Sequence, residues 1–341
     1  MSTTKSKQIR LAKRPVGMPN HEDFEWTESQ LNEPGSGEVL LKSLYISVDP
    51  YMRGRMNDQK SYVEPYALGQ VITGGVIAEV TSSNSTEFQV GDLVIGNLGW
   101  ETFQIASEDA LRKIDPQLAP VTTHLGVLGM PGITAYFGLL DIGNPEPGET
   151  VVVSGAAGAV GTVVGQIAKI AGARVVGIAG SDEKLSYLKE ELNFDEVINY
   201  KSENFKQQLK DACKDGVDVY YDNVGGEVSD AVLRLINKGA RIPICGQIAL
   251  YNLEKPDLGI RVQPNLLINS ALMKGFIVSD YGAYFEDAVN DLAKWLQEGK
   301  LSYRETIVEG FENIPDAFLG LFKGENIGKY IVKVADPSQN L

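Results

Sequence analysis

One stretch near the middle of the chain constrains its fold more than any other. Val151-Val-Val-Ser154 runs into Gly155-Ala-Ala-Gly158-Ala-Val-Gly161, and that into Thr162-Val-Val-Gly-Gln-Ile-Ala-Lys169, which closes near Ala171-Gly172. A β-branched run, glycines at a spacing of three and a largely apolar, helix-length run describe a strand, a tight turn and a helix. Gly155 permits the turn, Gly158 lets backbone approach a pyrophosphate, and Gly161 lets the helix pack closely on the strand, with its N-terminus toward the phosphate charge. The first spacing is GxxG rather than the commoner GxG, and a glycine triplet alone also marks ordinary turns. Context makes it specific: a second strand, starting at Arg174, follows at the distance a mononucleotide-binding half requires.

The same rhythm continues downstream. Residues 151–153, 175–178, 219–221, 242–245 and 276–278 are short apolar runs separated by helix-length amphipathic spacers. Such alternation implies parallel strands joined by helical crossovers, a doubly wound α/β sheet. Upstream, residues 38–42, 71–80 and 92–95 are β-rich runs broken by Gly and Pro, the pattern of a twisted, mostly antiparallel β domain. After Gly310 a short helical pattern leads to a last strand at 329–334 that returns to the first domain. At 341 residues the chain exceeds what one core sustains. The reading divides it into a discontinuous β-rich catalytic domain, 1–128 and 310–341, around a dinucleotide-binding domain, 129–309.

Lys and Arg number 31 against 45 Asp and Glu, a formal charge of −14. That field repels phosphate backbones and anionic lipid, so no nucleic acid and no membrane partner is expected. No run of about 18 apolar residues suggests a membrane span, and the basic start lacks the apolar core of a secretory signal. The expected compartment is the cytoplasm. The cysteines, Cys213 and Cys245, and the histidines, His21 and His124, are too few and scattered for a usual metal framework. No metal is expected.

Cofactor choice turns on the end of the second strand, about 20 residues past the loop, where an acid would hold the adenosine ribose of NAD. Ala179-Gly180-Ser181 stands there instead. This small, uncharged floor has room for a 2′-phosphate, with Lys184 as counter-charge. Asp182 and Glu183 argue the other way, but Ser181 is a good helix N-cap and would place both acids in the first turn, facing the dipole. Spacing favours NADP and leaves NAD open, since a solvated surface lysine is the plainer account of Lys184.

Several long motifs in order carry a resemblance across most of the chain: residues 47–56 (SVDPYMRGRM), 129–136 (GMPGITAY), 154–169, 180–184 (GSDEK), 221–226 (YDNVGG) and 324–329 (GENIGK). With them the chain resembles the zinc-independent branch of the medium-chain dehydrogenase/reductases that contains prostaglandin reductase/leukotriene hydroxydehydrogenase, plant double-bond reductases and bacterial curcumin reductase. The resemblance implies a Rossmann domain plus a GroES-like β domain, and NADPH as cofactor. It implies that Gly158, Ala159, Val160 and Gly161 take the pyrophosphate, while Lys184 and Tyr200 hold the 2′-phosphate. Asn223, the run Cys245, Gly246, Gln247, Ile248, Ala249, Leu250 and Tyr251, then Phe276, Ile277, Val278 and Asn326, would line the ribose and nicotinamide. Unaided, residues 223–226 read as a turn and Cys245 as a buried strand residue. Tyr251 falls where the family has a tyrosine directed toward substrate, and Tyr51 in an aromatic wall of the other domain. Packed interface tyrosines are the plainer alternative for both. Trp100 is expected to shape the substrate pocket, while Arg53 and Arg55 read as braces before anion binders. One departure is that the family's Cys-Gly-Ala-Ile-Ser appears here as Cys245-Gly-Gln-Ile-Ala249.

The activity implied is NADPH-dependent reduction of the C=C bond of α,β-unsaturated ketones and aldehydes. Hydride at the β-carbon leaves charge on the carbonyl oxygen, which without zinc must be met by hydroxyl donors, Tyr51 or Tyr251 among them. A quinone reductase, an NADP-dependent allylic alcohol oxidation and a non-catalytic NADPH-binding regulator are the rivals. The resemblance also implies a homodimer.

Overall fold

The computed structural model describes residues 3–117 and 119–338. The chain forms two compact units, one of Gly126–Arg304 with Ile327–Lys329, the other of Met1–Leu125 with Glu305–Asn326 and Tyr330–Leu341. The sequence reading set the seams at 128/129 and 309/310. It also missed that Ile327–Lys329 belong with the first of these units. The Gly328 amide donates to Ala157 O at 2.8 Å, and Gly328 bridges Gly158 in parallel fashion.

The first unit is built on six strands in the spatial order Glu196–Asn199, Arg174–Ala179, Thr150–Ser154, Val217–Tyr221, Ile236–Ile244, Leu272–Gly275. Every pairing is parallel. Numbered along the chain this is 3-2-1-4-5-6, the doubly wound arrangement of a Rossmann fold. Thr150–Ser154 is buried throughout, which is why it reads as continuous Val rather than as alternation: helices cover both faces of a central parallel strand. Val152, Val176, Ile178, Tyr220 and Ile242 share one core, each buried valine contributing about 1.5–3 kcal/mol. The helix Gly161–Ile170 follows the glycine loop directly.

Two strands differ from the sequence reading. Glu196–Asn199, a four-residue edge strand, was not anticipated. The sixth strand is Leu272–Gly275 rather than 276–278, because its ladder runs from Arg241↔Leu272 to Ile244↔Gly275 and ends where the partner strand ends. Phe276, Ile277 and Val278 therefore lie just beyond the carboxyl end of the sheet.

The second unit carries a sheet in the order Glu305–Glu309, Lys329–Lys333, Glu38–Ser47, Thr73–Ser83, Leu93–Gly99, Leu111–Ile114, with Phe103–Ser107 also on Glu38–Ser47. The last strand of the chain pairs antiparallel with Glu38–Ser47, Ile331 opposite Ser47. A hairpin of Thr4–Leu11 and Phe24–Leu31 completes the unit. Ile9, Leu41, Ile46, Val76, Trp100 and Phe318 lie in its core. Among the described residues no helix is long and apolar enough to cross a membrane.

Candidate functional site

In an open α/β sheet ligands bind beyond the carboxyl ends of the strands, at the point where strand order reverses. Here that point lies between Thr150–Ser154 and Val217–Tyr221. The loop leaving the first of these strands begins at Gly155, whose φ of +59° suits glycine. A Cβ on Gly161 would stand 2.3 Å from Gly155 O, whereas one on Gly158 would meet only that same oxygen at 3.3 Å. Gly161 is thus fixed by close packing, and Gly158 keeps its outer side open. Gly158, Ala159 and Val160 are half-buried. The Gly158 amide is already used, donating to Gly155 O. Those of Ala159 and Val160 meet no acceptor among the described residues, the condition for receiving an anion before a helix N-terminus.

At the end of Arg174–Ala179, Ser181 caps the helix Asp182–Ser186 by accepting the Lys184 amide, leaving Asp182 and Glu183 in its first turn. The Tyr200 ring lies over Gly180, where a Cβ would stand 2.7 Å from it. Burial, and next the neighbouring Lys201 charge, hold the Lys184 ammonium below the usual lysine range. Lys201 Nζ is 5.8 Å from the centre of the Tyr200 ring. Two lysines, around a small floor and an aromatic face, fit a bound phosphate. Lys184 and Tyr200 are the residues that the motif singled out; Lys201 was not, because a lysine after a strand carries no signal of its own.

At the switch point Asn223 Nδ2 donates to Ser154 O at 2.8 Å and its amide to Ser154 Oγ at 3.0 Å. Asp222 beside it is 1% exposed and was missed by sequence reasoning. The following strand continues into Cys245–Tyr251, held by Cys245 and Gly246 amides on Asp222 O and by Ala249 N on Val224 O. Burial pushes the Cys245 thiol up to about 12, so it is neutral near pH 7. Ile248–Leu250 form one 3-10 turn. Tyr251 Oη accepts the Gln247 amide at 3.3 Å, and burial raises its pKa despite that bond. A phenol that accepts one bond and stays protonated retains its proton to donate. Phe276 stands edge-on to Tyr221 at 6.5 Å, with Ile277 and Val278 half-buried after it. These residues gather at one end of the sheet; Asn326 groups with the β-rich unit, directly before Ile327.

In the β-rich unit Tyr51 opens the helix Tyr51–Arg55. Burial, then the charge of Asp49, drives its pKa far up, and no hydrogen bond to a described residue contributes. The Arg55 guanidinium stacks 4.0 Å from the centre of the Tyr66 ring. Arg53 is a brace, buried and donating to Gly17 O at 2.9 Å and Asn57 Oδ1 at 2.7 Å. Trp100 is a correction: rather than lining a pocket it is 0% exposed, packed between Phe24 and Phe318 at 6.3 and 6.1 Å. Packing of the ring against those two aromatics holds it in the core, although its indole Nε1 is buried with no hydrogen-bond partner among the described residues.

Among the described residues no three His, Cys, Asp or Glu side chains assemble as metal ligands. Residues 7–114 match the family described as "N-terminal domain of oxidoreductase" and residues 159–297 the family described as "Zinc-binding dehydrogenase". The chain is 63% identical over 339 residues to a Bacillus subtilis protein named as an NADP-dependent oxidoreductase, covering 98% of this chain and 100% of that one. It is 46% identical to the NADPH-dependent curcumin reductase of Escherichia coli, covering 95% and 96%. The crystal structure of CurA from Vibrio vulnificus in complex with NADPH superposes with a TM-score of 0.94 at 47% identity, covering 97% and 100%. The chain therefore belongs to the medium-chain dehydrogenase/reductase family of oxidoreductases.

Proposed function

We propose that this protein is an NADPH-dependent, zinc-independent reductase of the carbon–carbon double bond of α,β-unsaturated ketones and aldehydes. The observation that carries the reading is Tyr251: its oxygen accepts the Gln247 amide, so its proton is available to a substrate carbonyl at the carboxyl end of the sheet. A second hydroxyl, Tyr51, is the alternative donor. Relatives named curcumin reductase, prostaglandin reductase and 2-alkenal reductase support the reaction class.

In this reading NADPH, when bound, supplies the hydride. The Ala159 and Val160 amides bind its pyrophosphate, Lys184, Tyr200 and Lys201 its 2′-phosphate, and Asn223, Cys245–Tyr251, Phe276–Val278 and Asn326 its ribose and nicotinamide. Tyr251, kept protonated by burial, stabilises the enolate oxygen of the substrate; one such donor is worth about 2.7–4 kcal/mol. The neutral Cys245 thiol beside it is a poor nucleophile toward an electrophilic enone. A homodimer accompanies this reading, supported by the edge strand Leu272–Gly275 and by Leu267 and Ile268, which are 79% and 74% exposed. So does a cytoplasmic location, which the two free thiols fit.

The test is anaerobic NADPH consumption with 2-alkenals, alkenones and quinones, products identified by mass, repeated with Tyr251→Phe. A saturated carbonyl product, formed about 10²-fold more slowly by the variant, is expected. Hydroquinone alone, with no saturated carbonyl, would replace this reading by a quinone reductase.

A further inference from the structure

Asp222 is a fully buried carboxylate that no step so far employs. Its Oδ1 accepts from Tyr220 Oη at 2.9 Å, Val224 N at 3.0 Å, Gly225 N at 2.9 Å and Ser154 Oγ at 3.1 Å. Those donors all belong to the two strands at the switch point and the turn after them. Its Oδ2 has a single donor among the described residues, Gln247 Nε2 at 3.1 Å. Gln247 is also one of the two residues, with Ala249, that depart from the family's Cys-Gly-Ala-Ile-Ser pattern, so the contact is made by a side chain that the family's alanine cannot supply.

Gln247 joins two things. Its carboxamide tip is held by Asp222 Oδ2 and donates to Gly246 O at 2.8 Å, while its backbone amide donates to the Tyr251 hydroxyl. Room for the carboxamide comes from Gly225, where a Cβ would stand 2.2 Å from Gln247 Oε1 at a φ of +73°. A buried carboxylate oxygen strongly favours keeping its donor. The segment carrying Tyr251 is thereby tied through one side chain to the rigid end of the sheet.

We infer that Asp222 and Gln247 are a positioning pair that aims the Tyr251 hydroxyl. Neither touches the reacting atoms through its side chain in this scheme. The inference rests on Tyr251 being the donor, as proposed above.

The experiment measures kcat and KM across pH for Gln247→Leu, Gln247→Glu, Tyr251→Phe and the double variant Gln247→Leu/Tyr251→Phe, with heat midpoints as a folding check. Gln247→Leu is expected to lower kcat about tenfold to a hundredfold at all pH values. Gln247→Glu sets a second carboxyl against Asp222, and two carboxylates at that distance share a proton. Its kcat is therefore high at low pH and falls as pH rises, a slope absent from the parent. Because Gln247 acts through Tyr251, the double variant is no slower than Tyr251→Phe alone; a merely structural residue would add its loss. Wild-type kcat in Gln247→Leu, additive losses in the double variant, or a parental pH profile in Gln247→Glu would overturn the inference. Undiminished turnover by Tyr251→Phe would instead overturn the donor assignment, and the positioning role with it.

Discussion

Replacing Lys184 by alanine tests the cofactor assignment most directly. A phosphomonoester carries about −1.5 to −2 charges near pH 7, and a cation about 4 Å away at an effective dielectric of about 20 attracts each charge by about 4 kcal/mol. Desolvation and side-chain ordering reduce this to the net value of a charge-assisted hydrogen bond, about 1.5–3 kcal/mol. The half-buried setting that lowers the Lys184 pKa also shields the pair from salt, which favours the upper part of that range. At about 1.4 kcal/mol per decade, KM for NADPH rises roughly tenfold to a hundredfold. Lys201 remains, so a preference for NADPH persists. KM for NADH, which lacks the phosphate, is unchanged, and 2′,5′-ADP weakens as an inhibitor by the same factor as NADPH. Both ends of the pH profile carry a sign. Below about pH 6 the phosphate gains a proton, and affinity falls. At alkaline pH Lys184 in the free enzyme loses its proton earlier than an ordinary lysine, so NADPH affinity falls there too; the variant lacks this alkaline limb. Equal shifts for NADPH and NADH, measured with one enone at saturation, would refute the reasoning.

Two further substitutions probe the same unit and its neighbour. Gly328→Ala places a Cβ 1.9 Å from Arg304 O at a φ of +65°, on the residue whose amide holds Ala157 O beside the proposed pyrophosphate loop. It should cost about 1–3 kcal/mol of stability and weaken NADPH binding; a variant that melts and binds like the parent would contradict this. His124 has both ring nitrogens buried without a hydrogen-bond partner among the described residues, and burial followed by the Arg112 charge lowers its pKa from 6.5. Below about pH 6.5 the unfolded chain takes that proton first, so stability falls from there toward the lowered folded value. His124→Leu should therefore lose less stability between pH 7.5 and pH 5.5 than the parent in urea titrations, and an equal or larger loss would falsify this account.

The parts of the fold that sequence displayed are those where independent signals coincide. At residues 150–170 a β-branched run, a glycine triplet at a spacing of three and a capless apolar helix all point to one arrangement, and Ser181 announces its helix because a short hydroxyl is what an open N-terminus lacks. Glu196–Asn199 escaped because a four-residue edge strand beginning with an acid owes its form to the neighbour at Arg174–Ala179. The sixth strand was displaced toward residues 276–278 because those are more apolar than Leu272-Met-Lys-Gly275, yet hydrogen-bond pairing, not hydrophobicity, decides where a ladder stops. The site divides along the same line. The glycine loop and Lys184 draw notice in the sequence since their proposed chemistry is local to a motif. Asp222 resembles any acid in a turn after a strand, and only the convergence of donors from Ser154, Tyr220, the turn and Gln247 gives it a role. Gln247 stands out in the sequence as a departure, but its meaning depends on a carboxylate 25 residues earlier. The Gln247 carboxamide reaches that carboxylate only because the parallel pairing of their two strands brings the strand ends side by side.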